Sequence, residues 1–150
     1  MSASGERKIM RKYLTPKSLD IRRELGFVLP YADSPFDHEN IGEQVYFHLL
    51  NHAKKYVHIM TPYLILDNEM VTNLLIQQMW NEVIIIMPHI PDKWYAFAVA
   101  QTYYEELISA GVQIYEYTPG FVHAKVFVSD NDTATVGTIN LDYRSLYHQF

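Results

Sequence analysis

The sequence predicts an α/β fold built on a mixed sheet, and three observations predict it. Stretches with helical periodicity alternate with short apolar strands from Ile41 to Tyr117, the pattern of strands joined by helical crossovers. One run, Val83-Ile-Ile-Ile-Met87, is continuously apolar and of strand length, as expected for a central strand covered on both faces. Beyond Thr118-Pro-Gly120, the run Val122–Val128 turns at Asp130-Asn-Asp132 and returns through Thr133–Gly137, a hairpin. The expected architecture is a mixed sheet with helices on both faces.

Each element has its own justification. Residues 1–26 lack periodicity and are expected to form a tail or linker ahead of a single domain at 27–150. Phe27-Val-Leu-Pro30 is expected as a short strand, and the Asp-Ser-Pro and Asp-His pairs that follow favour turns. Ile41, Val45, Leu49 and Ala53 recur at i, i+4 and predict a helix, with Lys54-Lys55 at its end. Tyr56–Met60 reads as a strand. Asn68 is expected to cap a second helix, Glu69 to about Met79, with Val71, Leu74, Leu75 and Met79 on its apolar side. Asp92 is expected to cap a third helix reaching Ser109, with Gly111 as its left-handed stop. Val112–Tyr117 alternates as a half-buried strand.

Composition narrows the function. With 49% hydrophobic and 19% charged residues the chain is of globular type. The net charge of −5 disfavours nonspecific nucleic-acid binding, which runs on basic surface. There are no cysteines, which excludes disulfides, zinc-thiolate sites and cysteine nucleophiles. The seven histidines include no HExxH motif. No run approaches the roughly 18 apolar residues of a membrane span, and the polar start MSASGERKIMRKY is not a secretory signal. Twelve tyrosines suit surfaces that are apolar but wet at one end, although ordinary packing accounts for most of them.

The chemistry concentrates between Phe121 and Phe150. If Val122–Val128 is a strand, His123 and Lys125 project from one face and Val122, Ala124, Val126 and Val128 from the core face. Phe127 then falls on the polar side, where it could line a pocket. Asn140 follows Gly137-Thr138 at the start of a helix, a favourable place for a phosphate. A neutral imidazole at His123 can attack phosphorus and hold it as phosphohistidine. Lys125 supplies positive charge where the transition state gathers negative charge, while Asn140 and Thr138 donate hydrogen bonds. Gly137 allows close backbone approach. Asp130 either tunes the site electrostatically or caps its own turn. The chemistry calls for no metal and no other cofactor.

His123-x-Lys125, Asp130 and Gly137-Thr138-x-Asn140, at this spacing, resemble the HKD motif of the phospholipase D superfamily. Tyr56-Val-His-Ile-Met-Thr-Pro-Tyr63, Asp67-Asn-Glu69, Ile86-Met-Pro88, the string Gly111 to Lys125 and Asn140-Leu-Asp-Tyr-Arg-Ser145 extend the resemblance. Together they look like the C-terminal half of a bacterial cardiolipin synthase, over roughly Phe27 to Phe150. The resemblance implies a phospholipase D-like fold, here incomplete at its C-terminal edge, and transfer of phosphatidyl from one phosphatidylglycerol to another with release of glycerol. It implies His123, Lys125 and Asp130 as catalytic residues and Lys125, Thr138 and Asn140 as phosphate ligands. It also implies a second HKD half as partner, from the same parent chain or a twofold dimer, with one histidine as nucleophile and the other as acid.

The chain departs from the family pattern in three ways. It is expected to hold one of the family's two HKD motifs, to be without the family's membrane-spanning segments, and to stop short of the strand whose carboxylate orients the imidazole. The intact enzyme is expected at the bacterial cytoplasmic membrane, and this chain in at most peripheral contact with it, with an anionic phospholipid as ligand and no nucleic-acid partner. Two rival readings remain: a homodimeric nuclease of the same superfamily, and an inert half of a larger enzyme. Trp80 reads as an aberrant exposed loop residue, Tyr63, Tyr117 and Trp94-Tyr95-x-Phe97 as packing residues that could also meet lipid. His89 and His148 have no spacing that argues for function.

Overall fold

The structure, a computed structural model, describes residues 26–33 and 39–147. The expected tail over 1–26, apart from Gly26, lies outside them, as do part of the turn region at 34–38 and His148. The chain divides into two units, residues 1–30 and 31–150. Of the first, Gly26–Pro30 are described: they form no regular secondary structure, and Phe27, Val28 and Leu29 are exposed. The strand expected there is not formed, since apolar residues without a ladder partner have nothing to pair with.

In the second unit, α1 (Ile41–His52) leads into β1 (Tyr56–Met60) and a short β2 (Leu64–Ile65). Then come α2 (Asn68–Gln78) and β3 (Glu82–Pro88), followed by α3 (Trp94–Thr102), α4 (Tyr104–Ser109) and β4 (Gln113–Tyr117). The hairpin β5 (Val126–Ser129) and β6 (Thr133–Val136) precedes β7 (Leu141–Asp142) and α5 (Tyr143–Tyr147). Five strands form one sheet in the order β4-β3-β1-β5-β6, while β2 and β7 pair separately. β4, β3 and β1 run parallel, with Val57 opposite Val83 and Ile85 opposite Ile114. β5 lies antiparallel on the other side of β1, Ile59 opposite Phe127, and β6 antiparallel to β5.

This is the mixed-sheet α/β class the pattern predicts. From β1 the chain crosses to β3 and then to β4 in the same direction, and right-handed crossovers moving one way deposit their helices on one face. α1, α2 and α4 accordingly share one core with Val57, Ile59, Val83, Ile85, Met87 and Phe127. Among the described residues, the helices that pack on the sheet do so on this face. The opposite face carries half-buried Met60, Ile84, Ile86, Val126 and Val128, so the continuous apolar run in β3 is fully buried only at alternate positions.

Local differences have local causes. α2 is capped by Asp67, not Asn68: the Asp67 carboxylate accepts Met70 N–H at 2.7 Å. Its buried side is Met70, Leu74 and Gln77, whereas Met79 falls past the end and is 74% exposed. The single helix expected through Ser109 is two, broken at Tyr103, and α3 starts without a side-chain cap because Asp92 is engaged elsewhere. Gly111 does take the left-handed conformation, at φ 101°. Gly42 is required by packing: a Cβ there would sit 2.7 Å from the Ile139 side chain. Its N–H donates to the Asp33 carboxylate at 2.8 Å, which stands in for a cap that Asn40 does not supply.

Candidate active site

β5 begins where the parallel strands β1, β3 and β4 end, with Val126 opposite Met60. The sheet reverses its winding between β1 and β5, and in open α/β sheets ligands collect outside the carboxyl ends of strands at such a point. His123 and Lys125 lie at this end, in an irregular segment just before β5. The strand is thus shorter than expected, because residues 121–125 make no ladder. The pattern of faces is also the reverse of the one expected. Lys125, Phe127 and Ser129 are the buried set and Val126 and Val128 the half-buried one. Phe127, expected beside the pocket, is 1% exposed and stacks on Tyr46 of α1 with ring centroids 4.2 Å apart. Helix α1 decides which face is core; the strand alone could not.

His123 is exposed, and its ring is bracketed by two aromatics. Phe121 lies parallel at 5.8 Å and Tyr63 edge-on at 6.0 Å between centroids. Tyr63 donates its hydroxyl to Asp92, on the loop between β3 and α3. Burial, together with that bond and the negative charges of Asp92 and Asp142, pushes the Tyr63 phenol up to about 12. Tyr63 and Asp92 are the site members missed as such in the sequence; the Thr-Pro-Tyr63 turn after β1 was the only signal.

Lys125 is 9% exposed and donates from Nζ to the His123 carbonyl at 2.7 Å. Burial lowers its ammonium below the usual lysine range, and the carboxylates of Asp92 and Asp142 work in the opposite direction. Gly137 donates its N–H to the Lys125 carbonyl at 3.2 Å, which ties the end of β6 to this segment. Nothing lies within 4 Å of where a Cβ on Gly137 would be, so the backbone there faces open space, and Thr138 is exposed beside it.

Asn140 is held through its neighbours. Tyr46 donates to the Ile139 carbonyl at 2.5 Å, and β7 pairs with β2 through Leu141 opposite Leu64. The Asn140 amide donates from Nδ2 to Ser145 Oγ at 3.0 Å, and its Oδ1 is buried with no hydrogen-bond partner. Asp142 accepts the Ser145 N–H at 2.7 Å and fixes the turn into α5.

Asp130 is at the other end of β5. Its carboxylate accepts the N–H groups of Lys54 at 2.7 Å and of Lys55 and Tyr56 at 3.0 Å. These bonds, Tyr56 first, hold Asp130 below the ordinary carboxylate range. It sits at φ 55°, followed by Asn131 at 56°, in the left-handed region that short polar side chains tolerate. The structure therefore groups His123, Lys125 and the Gly137–Asn140 segment and leaves Asp130 as the clasp of the α1–β1 connection. Trp94 and Tyr95, expected to pack, are 76% and 54% exposed, and Ile90 and Phe121 are exposed as well.

A buried lysine, an exposed imidazole and an amide-bearing turn thus gather at the switch point of the sheet. Residues 46–150 match the family described as cardiolipin synthase, PLD-like domain, and the chain belongs to that family. It is 35% identical over 148 residues to a cardiolipin synthase of Halalkalibacterium halodurans, covering 98% of this chain and 29% of that protein. A protein of Streptococcus mutans is 61% identical over 126 residues, 83% of this chain and 27% of its own length. The chain thus spans less than a third of the curated relatives it matches. Among solved structures, a phospholipase D family member, Nuc from Salmonella typhimurium, superposes with a TM-score of 0.62 at 17% identity. That match covers 75% of this chain and 73% of the other, and it establishes likeness of fold.

Proposed function

We propose that this chain carries one half-site of a phosphatidyltransferase of the cardiolipin synthase type. Phosphatidylglycerol would be both donor and acceptor. The observation that carries the reading is the grouping of exposed His123, buried Lys125 and the Gly137–Asn140 turn at the sheet's switch point, in a chain of this family.

In the proposed reaction an imidazole nitrogen attacks the phosphorus, the P–O bond to the glycerol headgroup breaks, and the leaving alkoxide takes a proton from the second half-site's histidine. The phosphohistidine is then attacked by a hydroxyl of a second phosphatidylglycerol, whose proton returns to that histidine. Cardiolipin and glycerol leave, and both imidazoles are restored. His123 is one of the two, and either role suits its exposed position. Phe121 and Tyr63 limit its ring rotation. Lys125 stabilises the charge gathered on the phosphoryl oxygens, with the Asn140 amide and Thr138 hydroxyl donating to them. The missing histidine comes from a second HKD half, on another copy or on the remainder of a longer protein. The exposed Trp94, Tyr95, Phe121 and Ile90 are suited to the headgroup layer of a membrane. No helix among the described residues is long and apolar enough to cross one.

The test pairs lipid with nucleic acid. Incubation with phosphatidylglycerol vesicles should give cardiolipin and glycerol in equal amounts, and His123→Ala should abolish both. Plasmid cleavage lost in His123→Ala, without lipid transfer, would replace this reading with a nuclease. Absence of both from a verified dimer would make the chain an inert half.

A further inference from the structure

At the end of β5 remote from His123 lies a cavity of about 500 Å³, between the last turns of α1 and the β5–β6 turn. Its wall carries basic groups, His48 and His52 of α1, then Lys54 and Lys55, beside two aspartates. The two imidazoles are 3.9 Å apart between centroids and tilted by 30°. His52 Nδ1 is 2.9 Å from the His48 carbonyl. A carbonyl only accepts, so Nδ1 carries a proton and Nε2 is left free of that bond.

The acidic groups of the cavity are Asp130 and Asp132. Asp130 has both oxygens occupied by three backbone N–H groups, which disperse its charge into the α1–β1 connection. It is therefore a poor cation ligand, and no group of three or more candidate ligands among the described residues is placed to hold a metal ion. Formal charges of the lining are two lysines against two aspartates, with two histidines able to add up to two positive charges in mild acid.

We infer that this cavity is a second, acid-favoured site for a phosphate-bearing anion, separate from the His123 centre. His48 and His52 grip the anion from the helix side and the Lys54 and Lys55 ammonium groups from the connecting loop, with the Thr133 hydroxyl opposite. The anion is either a soluble phosphate or the headgroup of an acidic lipid. The inference does not rest on the proposed transferase activity, and its test needs no turnover.

Backbone amide resonances of the whole chain would be followed while inorganic phosphate is added at pH 6 and at pH 8, and in parallel while phosphatidate vesicles are added. Saturable shifts at Lys54, Lys55 and Thr133 are expected at pH 6, with affinity about tenfold weaker at pH 8, the effect of two nearby charges in high dielectric. The pair His48→Asn and His52→Asn, on exposed side chains, should leave the spectrum folded and remove the preference for pH 6, so that binding is no weaker at pH 8, where phosphate carries its second charge. Lys54→Ala with Lys55→Ala should abolish it. Saturation by phosphate identifies a soluble anion; saturation by vesicles alone identifies a headgroup; either supports the site. Failure of both probes to saturate at pH 6, or unchanged pH dependence in the histidine pair, overturns it.

Discussion

Removing one hydroxyl tests how the Asn140 segment is held in place. Tyr46 is 1% exposed, its ring is stacked on Phe127, and its hydroxyl donates to the Ile139 carbonyl one residue before Asn140. Tyr46→Phe keeps the ring and the stack, so no cavity opens. What is lost is a buried neutral hydrogen bond, and the Ile139 carbonyl is left without that donor, a cost of about 1–2 kcal/mol. For a chain of this size each kcal/mol shifts Tm by about 2–4 °C, which gives a fall of about 2–8 °C. Thermal unfolding followed by circular dichroism measures it, and a urea midpoint that falls at constant slope shows that stability alone has changed. Phe127→Ala, which removes the other half of the stack, should cost about 3–5 kcal/mol and sets the scale for a true core loss. In Tyr46→Phe the Asn140 side-chain amide resonances should broaden or shift while those of β3 stay fixed. An unchanged Tm, or shifts spread evenly over the sheet, would refute the idea that this hydroxyl anchors the turn.

Three further outcomes are expected. Asp130 holds its folded-state value below the ordinary 3.8, so its stabilisation is present above that value and disappears as pH falls through the lowered one. Asp130→Asn should therefore lower Tm at pH 7, with the difference from the parent shrinking in strong acid; a difference equal at pH 7 and pH 2 would contradict this. Lys125 is lowered from 10.5 by burial, so its charged form costs stability at neutral pH and that cost is relieved as pH rises through the lowered value. Lys125→Met should raise Tm at pH 7, with a gain that shrinks toward pH 10.5; a gain independent of pH would contradict the desolvation argument. The two tryptophans are exposed at different places, Trp94 at the start of α3 and Trp80 in the turn after α2. With phosphatidylglycerol vesicles, emission should shift to the blue in Trp80→Phe, which keeps Trp94, and not in Trp94→Phe; the reverse result would assign membrane contact to the turn after α2.

Element identity was legible in the sequence wherever one local signal sufficed. The helix from Ile41, the strands at Tyr56 and Val83 and the stop at Gly111 follow from spacing and from one glycine. What failed needed a partner. The faces of β5 are set by Tyr46, about eighty positions away in sequence, and a strand with alternating residues reads equally well either way. Asp92 resembles a helix cap by position, but Tyr63 offers a stronger donor and the helix starts uncapped. Gly42 gives no sign in the sequence that Ile139 needs its space. The site divides the same way. The spacing of His123, Lys125 and Asn140 is visible in the chain, whereas Tyr63 and Asp92 join them only through the meeting of the β1 and β3 loops.

The electrostatics of Lys125 tie these pieces together. An ammonium with 9% exposure needs negative charge nearby, and in this structure it feels Asp92 and Asp142. It donates to the neutral His123 carbonyl at 2.7 Å, and among the described residues neither carboxylate forms a salt bridge with it. Burial accordingly outweighs them and the ammonium stays depressed. A phosphodiester between His123 and the Gly137–Asn140 turn would bring the missing charge within direct reach. Binding would then raise the Lys125 value, because an adjacent opposite charge favours the protonated form, and by linkage a raised value means that protonated Lys125 binds the phosphodiester more tightly. Asp92 and Asp142 keep the lysine charged while the site is empty, without occupying the position a phosphate needs. Tyr63 holds Asp92 toward its own hydroxyl, which keeps that carboxylate from closing on Lys125 as a competing salt bridge. On this reasoning the Tyr63–Asp92 pair belongs to anion binding as much as to the orientation of His123.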